Sequence, residues 1–579
     1  MSTKIIVAAW PYNHTLMGIH NLIPMLSGDI LSRFYKLMNN DVVFVSGCDE
    51  YGERMERKAH TDRISPQELA DLNYAKVSDL LRSFNIDLSY LGRTTDDDHA
   101  AFVQECLTCL LRRDHIEERS IESLFCPVCD RFISDVFILG ICTSCGRFDN
   151  INDHYGSVSC ATSGPLEFRD AICGICASSG VSTPLIQEPA KRWMIRLDKS
   201  SELDMTHWTE LARRETMRAL SETSDWLSIS RSVGWGIPIP FDPSQTVFSW
   251  ADSLLALPRI FRTVESLWNV DTDVSTIYCM GRDNVPFYSI LYPTLLAYLD
   301  AGFLAPSVVV ANHDICFDGL PCSKSQSRTI DLESAIRLLP TDYWRAYLVS
   351  IFPMNASADF SPIHFDEFVR VSFKAIDEYI GNVHGLCVKY GRRGRNEATR
   401  CGAAQVSRLG SLLGKFQTSI KSYDFSSAMA SVFEAVQESN IRLNAGVPYE
   451  DAEFGEFYSD FLREAFVLTS LVSIFMPDTA KRIQAMFNFT QGNRVLSEMH
   501  RADFSWGICD AIYEELFPNA GLEKAMATIR EMVIMIEFTN GIDYKSDKHP
   551  VRIKWDACNC ETWYQACAIP SREGRYRNG

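Results

Sequence analysis

The chain has 579 residues, too many for one hydrophobic core, so two to four domains are expected. Its 46% hydrophobic and 22% charged residues exclude a disordered chain, and no apolar run approaches the roughly 18–20 residues needed to cross a bilayer. A net charge of −18 excludes broad nonspecific affinity for polyanions, although a local basic face such as Lys389–Arg395 would still admit one. The opening MSTKIIVAAW lacks the apolar core and cleavage site of a secretory signal, which predicts a cytoplasmic protein.

In chain order, β-type runs are predicted at Lys4–Ala9, Val42–Ser46, Ser275–Met280 and Ser307–Val310. Helical periodicity is predicted over Ser27–Met38, Pro66–Ser83 and Pro286–Leu299. Alternating strands and helices imply a parallel sheet in an α/β domain. A cysteine-rich stretch from about residue 115 to 200 breaks that rhythm and reads as an insertion. Beyond about residue 360 the β signal fades. Phe365–Lys389, Ala404–Ser422, Phe425–Asn444 and Glu456–Phe475 then carry the three-and-four spacing of a helical bundle, and one more helix is predicted at Leu522–Phe538. The expected organisation is an α/β domain in two halves, 1–114 and 201–360, interrupted by the insertion 115–200. A helical domain 361–515 and an extension 516–579 follow.

Seven of the 19 cysteines crowd into residues 126–176. Three C-x-x-C pairs are complete: Cys126/Cys129, Cys142/Cys145 and Cys173/Cys176. Two thiolates at this spacing grip one face of a tetrahedral Zn²⁺, and a second pair closes the site. Gly146 and Gly174 stand where a knuckle needs a tight turn. A fourth pair is half present as Cys160 and Ser163, and serine is a poor zinc ligand beside thiolate, so one full site is expected and a second is left open.

Two stretches carry chemistry. Trp10-Pro11-Tyr12 leads from the first strand to Met17-Gly18-Ile19-His20, a layout that suits a strand running into a nucleotide-binding turn and then a helix. Gly319–Gln326 presents Lys324 between Ser323 and Ser325, where an ammonium on a mobile loop suits contact with phosphate.

Taken in order, WPY…GIH, VSGCDEYG at 45–52, the cysteine knuckles, DWLSISRSVGWGIPIP at 225–240, VFSWAD at 247–252, MGRDNVPF at 280–287 and PCSKS at 321–325 closely resemble the methionyl-tRNA synthetases, a class I family. The resemblance runs from about residue 4 to about 510. It implies a Rossmann-type catalytic domain with an inserted zinc-knuckle module, followed by an α-helical bundle. It also implies amino-acid activation with ATP and Mg²⁺ through an aminoacyl-adenylate. Asp49 would hold the substrate α-ammonium. Ala9, Trp10, Tyr12, Trp250, Leu254, Leu257 and Tyr288 would line the amino-acid pocket. His20, Asp283 and Lys324 would be catalytic, and His14, Gly18, Gly281, Ser323 and Ser325 would complete the ATP site. Asp29, Glu50, Gly52 and Arg231 match the pattern in support. In the family the outer C-x-x-C pairs share one metal and the inner pairs another, which gives Cys126, Cys129, Cys173 and Cys176 a complete set.

The departures fall on functional positions. Met17 and Ile19 stand where the family has His and Gly, and a thioether cannot donate to phosphate as imidazole does, so ATP contact there should weaken or pass to a group such as His14. Pro321 replaces a Lys, Tyr288 a His near the methionine sulfur, Leu254 a Pro and Leu257 a Tyr. For tRNA binding, Asn382 is kept and Tyr449 replaces a Trp able to stack on a base, whereas Leu386 cannot replace an Arg fork. Three functions stay open on sequence: methionine–tRNA ligation, transfer of the activated amino acid to a small-molecule acceptor, and a noncatalytic binding role.

Overall fold

The apolar runs at the ends of the α/β region close into one five-stranded parallel sheet: β1 (Thr3–Ala8), β2 (Asp41–Cys48), β3 (Tyr90–Arg93), β4 (Val274–Gly281) and β5 (Val308–Asn312). Their spatial order is 5-4-1-2-3, with all neighbours parallel. These strands are covered by helices on both faces, which is why they read as continuous Val/Ile runs and not as alternation. The order reverses between β1 and β4, and ligands of such sheets bind beyond the strand C-termini at that reversal. Ala9–Tyr12 follows β1 and Arg282–Asp283 follows β4, so both candidate loops leave the sheet there.

The computed structural model describes residues 2–133, 137–143, 148–150, 168–199, 203–264, 273–300, 305–317, 319–322, 329–391, 402–446, 451–487, 516 and 521–539. Cys145, Gly146, Cys160, Ser163, Ser323, Lys324, Ser325 and Tyr449 lie outside these residues, as does most of the basic stretch after Lys389. Of Cys142 only the backbone is described. The chain divides into two units. One is Met1–Lys36, Asn40–Arg337 and Pro353–Asp359, and the other is Leu37–Asn39, Leu338–Phe352 and Phe360–Gly579.

Two helices differ from expectation. The first begins at Leu22 and not at Ser27, directly after a 3₁₀ turn at Ile19–Asn21. Pro24 falls in its first turn, where no intrahelical N–H is missed, and Gly28 packs against the ring of Phe44. Two apparent helix breakers are therefore helix residues. The helix expected over Pro286–Leu299 opens as a π turn, Phe287–Leu291, and becomes α-helical at Tyr292–Leu299. A π turn widens the backbone where a side chain must be re-aimed, and this one carries Tyr288.

The insertion is a β module. Ile116–Cys126 and Ile186–Arg196 pair antiparallel from Ile116↔Ile195 to Phe125↔Ile186, flanked by Trp226–Ser228 and Arg131–Phe132. A second small sheet joins Phe148–Asn150, Ile138–Cys142 and Phe168–Cys173. Leu124, Ile133, Ile138 and Phe168 share its little core with Cys126, Cys173 and Cys176.

The second unit is helical. Its helices include Lys374–Gly391, Ala403–Lys421, Phe425–Asn444, Asp451–Phe475 and Pro477–Phe487, with Leu522–Thr539 later in the chain. Within it the buried carboxylate of Glu464 accepts from Arg408 at 2.8 Å and Arg442 at 2.6 Å. Among the described residues no helix is long and apolar enough to cross a membrane.

Candidate active site

The turn after β1 is stitched to the end of β2. Asp49 N–H donates to Pro11 O at 3.1 Å, Asn13 N–H donates to Asp49 O at 2.8 Å, and Tyr12 bridges Asp49 in parallel register. This pairing fixes the Tyr12 ring and the Asp49 carboxylate beside each other. The Tyr12 ring has His14 5.1 Å away, and its hydroxyl faces Gly52 and the Met55 N–H. Gly52 has φ of +101°, and a Cβ there would lie 2.9 Å from the Tyr12 hydroxyl, so both backbone and space require glycine. Asn13 donates to Glu50, which also takes Arg93 at 2.9 Å, so the supporting role of Glu50 is to anchor this turn.

The pocket end is acidic. Asp49 is 4% exposed and Asp252 is fully buried. Burial pushes the Asp49 carboxyl well above the usual carboxylate range, with Glu50 and Glu53 adding to it. Burial, with Asp49 second, does the same to Asp252. One oxygen of Asp49 and both of Asp252 have no hydrogen-bond partner among the described residues. A site of this kind favours an arriving cation that holds the carboxylates ionised. Asp252 lies inside VFSWAD, where the sequence alone shows no role for it. Nothing short of the fold could place it against Asp49, about two hundred residues earlier.

The residues expected to line the amino-acid site share one apolar core cluster, apart from Tyr12 and Trp250. Ala9, Trp10, Leu254, Leu257 and Tyr288 are buried. The Tyr288 hydroxyl accepts from the Trp10 backbone N–H. Trp250 is 44% exposed and meets Phe287 edge-on at 3.9 Å, so it rims the site and is not a buried wall.

The second half is a pair of loops joined backbone to backbone. Ile19 N–H donates to Ile330 O and Leu332 N–H donates to Met17 O, both at 2.9 Å, and Gly18 bridges Asp331. His20 Nδ1 lies 3.0 Å from Thr329 Oγ1. A Cβ on Gly18 would strike Thr329 and press within 2.9 Å of the His20 ring. Met17 and Ile19 turn into the core, at 1% and 0% exposure. The loop that carries Lys324 thus ends on the loop that carries His20. Gly281 closes β4, and the exposed Asp283 follows it. Thr329, the partner of His20, escaped sequence reasoning because it lies beyond the serine–lysine stretch.

Apart from these loops, Cys126, Cys129, Cys173 and Cys176 bring their sulfurs within 4.8 Å of one another. Individual separations are 3.4 Å for Cys129–Cys176, 3.7 Å for Cys126–Cys176 and 3.8 Å for Cys129–Cys173. A tetrahedral zinc with bonds of about 2.3 Å has its sulfurs about 3.8 Å apart, so this donor set fits one ion. Gly174 sits where a Cβ would approach Phe137 O at 2.8 Å, which makes the knuckle turn a glycine position. In the helical unit Asn382 is exposed, with Leu386 one turn further along the same helix.

The parallel sheet, with two cross-paired loops beyond the C-terminal ends of its strands, agrees with a class I synthetase fold. The family model described as tRNA synthetases class I (M) matches residues 4–384, and the chain belongs to that family; it is a methionyl-type class I tRNA synthetase relative and a ligase. It is 28% identical over 511 residues to the methionine–tRNA ligase of Korarchaeum cryptofilum, covering 83% of this chain and 90% of the relative. To that of Pyrobaculum aerophilum it is 25% identical over 521 residues, covering 84% and 89%. The fold matches Mycobacterium tuberculosis methionyl-tRNA synthetase, solved with methionyl-adenylate, at a TM-score of 0.68. That match has 17% identity and covers 90% of this chain and all of the other.

Proposed function

We propose that the chain activates an amino acid, by default methionine, with ATP and transfers it to tRNA. The observation that carries this reading is the acidic, half-unpaired pocket at Asp49, held beside Tyr12 and followed within the same loop by His20. The α-ammonium would sit on Asp49, with Ala9, Trp10, Tyr12, Leu254, Leu257 and Tyr288 around the side chain and Trp250 at the rim. ATP would lie along Gly18, His20, Gly281 and Asp283, with His14 nearby and Ser323, Lys324 and Ser325 completing the phosphate contacts. Mg²⁺ accompanies the nucleotide. Attack of the substrate carboxylate on the α-phosphate needs positioning and charge stabilisation and no covalent nucleophile. Zn²⁺ on Cys126, Cys129, Cys173 and Cys176 would clamp the inserted module and take no part in the reaction. Asn382 and Tyr449 are the side chains proposed to meet tRNA.

The relatives support tRNA as acceptor, and a small-molecule acceptor has no support from them. Amino-acid-dependent ATP–pyrophosphate exchange across the twenty amino acids, followed by charging of total tRNA, tests the reading. Exchange with methionine and charging are expected. Absence of exchange with every amino acid would sink it.

A further inference from the structure

The pairing of β4 with β5 ends at Gly281↔Asn312, and the turn that carries Asp283 leaves the sheet there. Just past that register the Arg282 guanidinium meets the Asp314 carboxylate at 2.9 Å, and each is the other's sole ion-pair partner among the described residues. Arg282 opens the turn Arg282–Asn284. In that turn Asn284 Nδ2 donates to Asp283 Oδ1 at 3.2 Å, and a Cβ on Gly281 would lie 2.9 Å from the same oxygen. The Asp283 carboxylate is thus folded back over the strand end.

The other end of the bridge is fixed. Asp314 O accepts from the Ala358 N–H at 3.0 Å, and the residues that follow, Ile315–Phe317, pair with Ala358–Asp359 and with Leu320–Pro321. Gly319 N–H donates to Asp359 Oδ1 at 2.8 Å and closes that hairpin. His313, next to Asp314, does not compete for the carboxylate. Burial lowers its imidazole, Arg214 and Arg282 lower it further, and Asp314 and Glu215 offset them only in part, so near neutral pH it is uncharged.

We infer that Arg282 and Asp314 form a positioning pair that holds the Asp283 turn in place for ATP, with Arg282 kept on Asp314 and off the phosphates. The inference rests on the reading above, in which ATP lies along Gly281 and Asp283. The pair is too exposed to serve folding: its side chains are 37% and 35% exposed, and ion pairs in such surroundings add little to stability. Its effect is geometric. Beyond the last paired residues of β4 and β5, the bridge joins the turn to a hairpin that is itself hydrogen-bonded on two sides. A turn ordered beforehand spares the nucleotide the entropy of ordering it and keeps Asp283 in register with the strand end.

Purified full-length wild type, Arg282→Gln, Asp314→Asn and the double variant are compared in amino-acid-dependent ATP–pyrophosphate exchange. Each single change should raise the KM for ATP about tenfold and leave the KM for the amino acid within about threefold. The thermal midpoint should move by less than about 2 °C. The double variant should be no worse than the worse single one, as expected when both changes break one interaction. Arg282→Lys, which keeps a charge on Asp314, should recover part of the loss. Additive losses, or equal effects on the two substrates, would overturn the pair. So would a loss confined to Arg282→Gln, which would make Arg282 a direct phosphate contact. Variants that match wild type in both KM values defeat the pair and leave the functional reading standing. Wild type without exchange for any amino acid defeats that reading, and ATP affinity by titration calorimetry then tests the pair alone. The same loss of affinity is expected there, and unchanged affinity in the variants overturns it.

Discussion

Trp10 occupies a slot cut by two glycines, and filling that slot should disable the amino-acid pocket. Gly47 on β2 and Gly92 on β3 are partners in register. A Cβ on Gly47 would lie 2.5 Å from three indole carbons of Trp10, and one on Gly92 would lie 3.0 Å from the same ring while striking Ile260. Carbon atoms rest about 3.5–4.0 Å apart, so Gly47→Ala must push the indole by about 1 Å. Overpacking of this kind costs about 1–3 kcal/mol of stability. The functional loss should be larger in proportion, because Trp10 precedes Tyr12 by two residues and its backbone N–H holds the Tyr288 hydroxyl. A shift of about 1 Å in a positioned group reduces turnover on the order of a hundredfold, or about 2.7 kcal/mol. We expect kcat/KM for the amino acid in pyrophosphate exchange to fall by that factor, with a lowered thermal midpoint. Adding Trp10→Leu should restore the midpoint but not the kinetics. Wild-type values of both quantities in Gly47→Ala would refute the slot.

Three further outcomes follow from charge and metal. The Asp49 carboxyl is raised by burial, so the empty protein favours its neutral form while an α-ammonium requires the ionised one. KM for the amino acid should therefore rise as pH falls through that raised value, whereas stability of the empty protein gains over the same range; Asp49→Asn should flatten both profiles and raise KM at least about a hundredfold. His99 is fully buried, and burial, with Arg259 second, lowers it to about 3 from an ordinary 6.5. Below pH 6.5 the unfolded chain takes a proton that the folded one refuses, so stability is lost on acidification down to about pH 3, by at most about 5 kcal/mol. His99→Gln should make the denaturant midpoint less steep in pH across that window, and an unaltered slope would count against a neutral His99. For the cysteine cluster, purified protein should hold about one zinc per chain. Chelation or Cys173→Ser should open residues 116–196 to protease while exchange activity outlasts that cleavage, and a metal-free chain resistant to protease would remove the clamp reading.

The central sheet was legible because its strands are buried on both faces and so spell unbroken apolar runs between helices. The helix from Leu22 was legible only in its second half, since Pro24 and Gly28 read as breakers until their places in the first turn and against Phe44 are known. The cysteine pairs announced themselves by local spacing, whereas Asp49 was singled out only by the family resemblance. Asp252, Thr329 and the Gly47–Gly92 slot did not, because each acts through a partner that only the fold brings near. The altered nucleotide signature shows the same division in one loop. Its pairing with residues 330–332 uses backbone groups of Met17, Gly18 and Ile19, which any side chain supplies. Met17 and Ile19 can therefore turn inward as core residues without undoing the loop, and Gly18 keeps the space that Thr329 and His20 need. What the substitution removes is one imidazole donor, so in the proposed site the phosphate end would rest on His20, held by Thr329, and on Lys324.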